Sequence, residues 1–243
     1  MNLHLGLKSK VLLSLLLVLS FVTAYAEDEN SGLVEVQHYQ DVLAPYKERR
    51  GNNGFYFGVT YEPIVFKNYV SFLDGLTYGE MFGSSTIPMI NVSFEYKRNM
   101  QIGSISGGFI YGGGQLSGDG SGEKRSLAVS KIGLDFRYTM DMLLDEPYAA
   151  PYVAYSMWKM GISEESPNDK FNATTQIGYS YSVGVLLQLD WIDYEVAKTA
   201  TFNYGLENTF IDVYATQYAK TQAADDPNTS TDFTYGAGLR MEF

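Results

Sequence analysis

Cysteine is absent from the 243 residues, which excludes a disulfide scaffold and leaves no residue for a lipoprotein anchor. Proline is scarce, at 7 residues, and a collagen-like chain is excluded with it. Histidine occurs only twice, at His4 and His38, so imidazole chemistry has almost no place to reside. Basic residues are few: 17 against 28 acids. Nucleic-acid binding, which draws its affinity from phosphate neutralisation, is therefore not expected. Apolar runs of 18 or more residues are missing as well, so no segment qualifies as a membrane helix.

What is present is 24 Gly, 20 Tyr and 14 Phe in a chain that is 45% hydrophobic. Such a chain can bury enough apolar surface to offset its ordering entropy, which excludes a disordered protein, and the length fits one domain. Lys8 and Lys10 precede the apolar run 11–22, which ends in Ala24-Tyr25-Ala26. This is the pattern of a signal peptide over 1–26. Its removal takes two lysines from the 17 basic residues and leaves 15 against 28 acids, a net charge of −13.

Residues 27–53 form a separate N-terminal segment and linker. Leu33, Val36, Tyr39, Leu43 and Tyr46 are spaced close to a helical stripe, followed by Lys47-Glu48-Arg49-Arg50 and the linker 51–54. The basic cluster has two readings, attraction to anionic phospholipid heads or a plain solvated charge run. His38 is expected on an exposed helix face.

From Phe55 the period becomes two. Phe55, Phe57, Val59 and Tyr61 alternate with Tyr56, Gly58 and Thr60; Ile90, Val92, Phe94 and Tyr96 alternate with Asn91, Ser93, Glu95 and Lys97. The run from Ile177 to Leu189 continues the pattern. Half-buried strands are expected over 54–62, 88–98, 101–112, 126–140, 151–161, 173–189, 204–219 and 232–243. The links alternate in kind. Long ones such as 112–125 and 221–231 follow the odd strands, and mostly shorter ones follow the even strands. That asymmetry belongs to a transmembrane β-barrel. The segment 190–198 is long for a turn and predicts a short helix capped by Asp190, with Trp191 and Tyr194 at headgroup level.

Alternation alone fits a soluble barrel with its apolar face inward or a membrane barrel with that face outward. The terminal strand decides between them: Tyr235, Ala237, Leu239, Met241 and Phe243 alternate without a gap up to the last residue. This resembles the C-terminal strand of bacterial outer-membrane barrels, and by strand count the chain is similar to the small OmpA-like, OmpX-like and OmpW-like group. The resemblance implies an all-β fold, an eight-stranded antiparallel transmembrane barrel over 54–243. It places both termini in the periplasm and the long loops outside the cell. The implied partners are outer-membrane lipids, lipopolysaccharide and the barrel assembly machinery, which reads the strand ending at Phe243; a monomer is expected.

Eight strands enclose a lumen just wide enough for side chains. Glu95, Lys97, Lys131, Asp135, Arg137, Arg240 and Glu242 would crowd into it, either as a lumenal ion-pair network or as a gated conduit or small-ligand site. Barrels of this class that act as enzymes use a histidine as acid or base, and none lies in the predicted strands. Asp225-Asp226 and Glu164-Glu165 are placed in outer loops without a base nearby, and the loop 117–123 reads as solvated rather than as a calcium site. No residue is assigned to catalysis, a cofactor or a metal. The expected function is a non-enzymatic structural or surface-interaction role. The alternatives are OmpW-like passage or binding of a small hydrophobic compound, and a soluble periplasmic barrel that binds a lipophile.

Overall fold

A computed structural model describes residues 43–119 and 122–243. The signal peptide, His38 and the first part of the 27–53 stripe lie outside the described residues. After the short helix α1 (Tyr46–Arg49) come β1 (Asn53–Ile64), α2 (Tyr78–Phe82), β2 (Ile87–Met100), β3 (Gly103–Gly118) and β4 (Arg125–Thr139). They are followed by β5 (Ala149–Glu165), β6 (Lys170–Thr174), β7 (Gly178–Gln188), α3 (Tyr194–Tyr204), β8 (Asn208–Tyr218) and β9 (Thr234–Glu242).

All pairings are antiparallel. They run in sequence from β1 to β5, then to β7, β8 and β9, and β9 pairs back onto β1. The circuit therefore closes with eight staves. β6 and β7 both pair with β5 and form one interrupted stave, which corrects the continuous strand expected over 173–189. The interruption is held by Thr175, whose N–H donates to the Met160 carbonyl at 2.8 Å while its hydroxyl accepts from the Met160 N–H at 3.0 Å.

Burial fixes the handedness of the alternation. Ile90, Val92, Phe94 and Tyr96 are exposed, whereas Asn91, Ser93, Glu95 and Lys97 are buried. On β4, Ile132, Leu134 and Phe136 are exposed and Lys131, Asp135 and Arg137 are buried. A water-soluble barrel would have the opposite arrangement, because burying ions while exposing aliphatic side chains to water costs on both counts. The outer surface is thus built for a hydrocarbon solvent, and the chain is an eight-stranded transmembrane barrel.

Several boundaries differ from expectation. β3 runs on to Gly118, so the long loop expected over 112–125 contracts to 119–124. The glycines there serve close approach rather than turning: a Cβ at Gly112 would come within 2.2 Å of the Asn91 side-chain oxygen. Secondly, α3 occupies residues as far as Tyr204, and β8 starts only at Asn208. Thirdly, the N-cap of α3 is Asp193, which accepts from the Val196 N–H at 3.1 Å, and not Asp190. Asp190 instead accepts the Thr209 N–H at 3.0 Å, tying the start of β8 to the end of β7.

The face assignment on β7 gives a direct test. Val183 points outward at 57% exposure, while Ser182 faces inward and shares a 2.5 Å hydrogen bond with Thr216. Val183→Arg should destabilise the barrel by about 2 to 4 kcal/mol at midplane depth, and Ser182→Asn should cost far less. Reversible unfolding in lipid measures both, and equal losses would mean a register slipped by one residue.

Candidate functional site: an ionic lumen

The inward faces stack in layers. Near the short-link rim, Lys97 of β2 lies 2.8 Å from Asp141 and is also paired with Glu242 of β9. Its ammonium donates to the Tyr46 hydroxyl at 2.6 Å, and that hydroxyl donates to Glu242 at 2.7 Å. Burial raises the Tyr46 phenol well above its ordinary range, so it remains a neutral donor. Ser104 and Asn208 supply further donors, at 2.8 Å to Asp141 and 2.9 Å to Glu242.

At mid-lumen two guanidiniums meet three carboxylates. Arg240 reaches Glu95 at 2.6 Å and Asp212 at 3.0 Å. Arg137 lies 3.4 Å from Glu95 and 3.5 Å from Asp135, with its guanidinium 3.9 Å above the Tyr152 ring. Tyr152 donates to Asp212 at 2.6 Å. Further toward the long-link rim, Lys131 donates to the Tyr218 hydroxyl at 2.6 Å, and Tyr218 donates to Glu62 at 3.0 Å. A cavity of about 40 Å³ lies among these groups and the hydroxyls of Thr60, Ser93, Ser156 and Thr216. That is room for a few waters.

The two ends carry different chemistry. The link 65–86 folds back into the barrel mouth: Phe66, Tyr69, Met81 and Phe82 join Leu127, Trp158 and Met160 in an apolar cluster. Thr77 and Glu80 cap α2 reciprocally and set the entry of Tyr78 and Met81. Beneath it Glu164, fully buried, accepts from Tyr69 at 2.9 Å and pairs with Arg125 at 3.4 Å. At the other end α1 carries a set of cations onto rim carboxylates. Arg50 reaches Asp141 at 3.3 Å, Arg49 reaches Glu207 at 2.9 Å and Glu146 at 3.5 Å, and Lys47 reaches Asp145 at 3.0 Å.

All seven charges expected in the lumen are buried there and ion-paired or hydrogen-bonded. Within the basic cluster 47–50, Arg49 and Arg50 pair with Glu146, Glu207 and Asp141, whereas Lys47 pairs with the exposed Asp145. Glu164 is likewise not a loop residue but lies on β5, where Tyr69 and Arg125 hold it, while Glu165 pairs with Lys170. Asp226 accepts the Gln176 N–H at 2.7 Å and Asp225 is exposed, so the pair does not act as a unit. Ser117 and Gly118 belong to β3, so two of the seven residues of 117–123 lie in a strand and not in the loop. Asp212 and Glu62 were missed. Both continue an inward alternation, Phe210-Asp212-Tyr214 and Thr60-Glu62-Ile64, that the sequence already carries.

No family model matches the chain, and no curated protein does. Among solved structures it is similar to Ail, the attachment invasion locus protein of Yersinia pestis, at 9% identity and a TM-score of 0.43, over 79% of this chain and 97% of that one. Neisserial surface protein A gives 10% and 0.42, over 79% and 96%. The N-terminal β-barrel domain of Pseudomonas aeruginosa OprF gives 11% and 0.43, over 80% and 100%. The fold assignment itself rests on the closed pairing circuit and on the burial of alternate faces.

Arg240 holds two carboxylates at once, so Arg240→Ala should cost about 3 to 5 kcal/mol, chiefly because Glu95 and Asp212 lose a partner inside low dielectric. Denaturant unfolding in detergent or lipid measures it; a loss below about 1 kcal/mol, the range of an exposed pair, would show that the lumen is hydrated.

Asp190 supplies a pH signature outside the strands. Burial pushes its carboxyl from 3.8 up to about 6, against the opposing pull of the Thr209 N–H and Arg49. The folded state then holds this proton more tightly than the unfolded state, so its stabilising effect is full below about pH 4 and is lost as pH rises to about 6. Asp190→Asn, which keeps an acceptor for Thr209, should unfold at the same midpoint as the unmodified barrel near pH 4 and at a higher one at pH 7. Parallel pH profiles would overturn the assignment.

Proposed function

We propose that this chain is a non-enzymatic protein of the bacterial outer membrane, a sealed barrel that serves as a structural element or as a platform for surface interaction. The observation that supports the reading is the packing of the apolar link 65–86 at one rim and of α1 with Arg50 at the other, around an interior of paired ions. A barrel that passes solutes needs at least one open mouth. The longer links, among them one bearing Asp225, Asp226 and Asp232, then face the cell exterior and the termini face the periplasm. On this reading the partners are outer-membrane phospholipid and lipopolysaccharide, and the assembly machinery engages the last strand. Phe243 closes the seam there, exchanging backbone hydrogen bonds of 2.8 and 2.9 Å with Phe55.

Planar-bilayer recording on the purified barrel tests the reading. No steady porin-sized current is expected from the unmodified protein. Steady current would overturn the sealed lumen and favour passage of a small compound instead.

A further inference from the structure

Helix α3 has eleven residues and not one of them is buried. It is nonetheless sharply delimited. Asp193 caps its start, and Gly205 ends it at φ 67, where the Gly205 N–H reaches the Thr201 carbonyl at 3.1 Å and the Leu206 N–H reaches that of Ala200 at 3.3 Å. A helix this short is marginal in water unless an apolar face is covered. Yet α3 and the turn before it leave Trp191, Ile192, Val196, Phe202 and Tyr204 exposed. The described residues leave them uncovered.

We propose that α3 and its preceding turn lie in the headgroup–acyl boundary of the adjoining leaflet, with phospholipid as the partner. Continuity with the lipid-facing belt is the first ground. Leu187 and Ile211 are opposite one another on β7 and β8, both exposed, and the chain passes from Leu187 through Leu189 straight to Trp191. The second ground is that the other two links on this rim behave alike: Ile102 between β2 and β3, and Leu143 and Leu144 between β4 and β5, are also exposed. A leaflet meets a barrel all round, whereas a protein partner would mark one side. The third is residue type, since Trp and Tyr favour the membrane–water interface, where an apolar ring and a polar edge are both satisfied. On the same rim the exposed carboxylates of Asp145 and Glu195 are paired with Lys47 and Lys198, so no excess of either sign comes from them and a zwitterionic lipid is the apt probe. The inference rests on the barrel's crossing of a bilayer and not on the direction in which it crosses.

The chain has two tryptophans, Trp158 inside the apolar cluster and Trp191 on the rim. In Trp158→Phe, reconstituted into phosphatidylcholine vesicles, Trp191 should emit at shorter wavelength than a water-exposed indole. It should also lose more intensity to lipid brominated near the headgroup end of the chain than to lipid brominated near the methyl end. If Trp158→Phe does not fold, the difference between the unmodified barrel and Trp191→Phe gives the same readout. A Val183→Trp substitution in a background lacking both native tryptophans reports the belt. A quenched belt with an unquenched, water-like Trp191 overturns the placement of α3 alone, and an unquenched belt overturns the transmembrane reading along with it.

Discussion

The interaction on which the rest depends is the mid-lumen lattice of Arg137 and Arg240 with Glu95, Asp135 and Asp212. Backbone hydrogen bonds close the barrel around its circumference, but they are blind to what faces inward. The lattice instead joins staves across the interior: β2 to β9, β9 to β8, and β4 to both β2 and β8. Each carboxylate there is shared or hydrogen-bonded, as Tyr152 does for Asp212 and Ser106 for Glu95 at 2.5 Å. Strand number sets this requirement, because eight staves leave too little room to hydrate an ion separately.

A lattice of this kind contributes more to specificity than to net stability, since desolvation offsets most of the attraction between buried ions. Slipping β4 or β9 by one residue against its neighbours would carry Arg137 or Arg240 into hydrocarbon and bring Phe136 or Leu239 into the ionic interior. The same alternation that makes the outside apolar therefore makes wrong registers expensive on both faces. Polar uniformity inside would not achieve this; charges of both signs, fixed in complementary positions, do.

That double constraint explains why the barrel was largely legible in the sequence. The faces of β1, β2, β4, β7 and β9 follow from period-two patterning, and so does the inward placement of seven charges. Legibility failed where the two solvents stop alternating. At the long-link end the inward residues Ile64, Met89 and Met160 are apolar like the outward ones, because the link 65–86 packs on them. The apolar density of that link, with Phe66, Tyr69, Tyr78 and Met81, was the available sign that it would not remain in water. In β3, glycines selected for close approach looked like turn residues. The partners of Arg49 and Arg50 were not legible because Asp141, Glu146 and Glu207 lie far away in sequence and nowhere near a pattern.

The two rim clusters also differ in when the chain can make them. The apolar cluster joins the 65–86 link to β1 and β2, its immediate neighbours in sequence, so its first contacts need little more than one hairpin. The ionic cluster joins Tyr46 to Glu242 across almost the whole described chain, with Lys97 and Asp141 between them. Tyr46 has no acceptor on β9 until β9 has paired with β1, so the short-link cluster is completed only once the last strand is in place. Closure of the wall and anchoring of α1 thus share the terminal strand: Glu242 accepts from Tyr46 while Phe243, one residue later, joins the seam to Phe55.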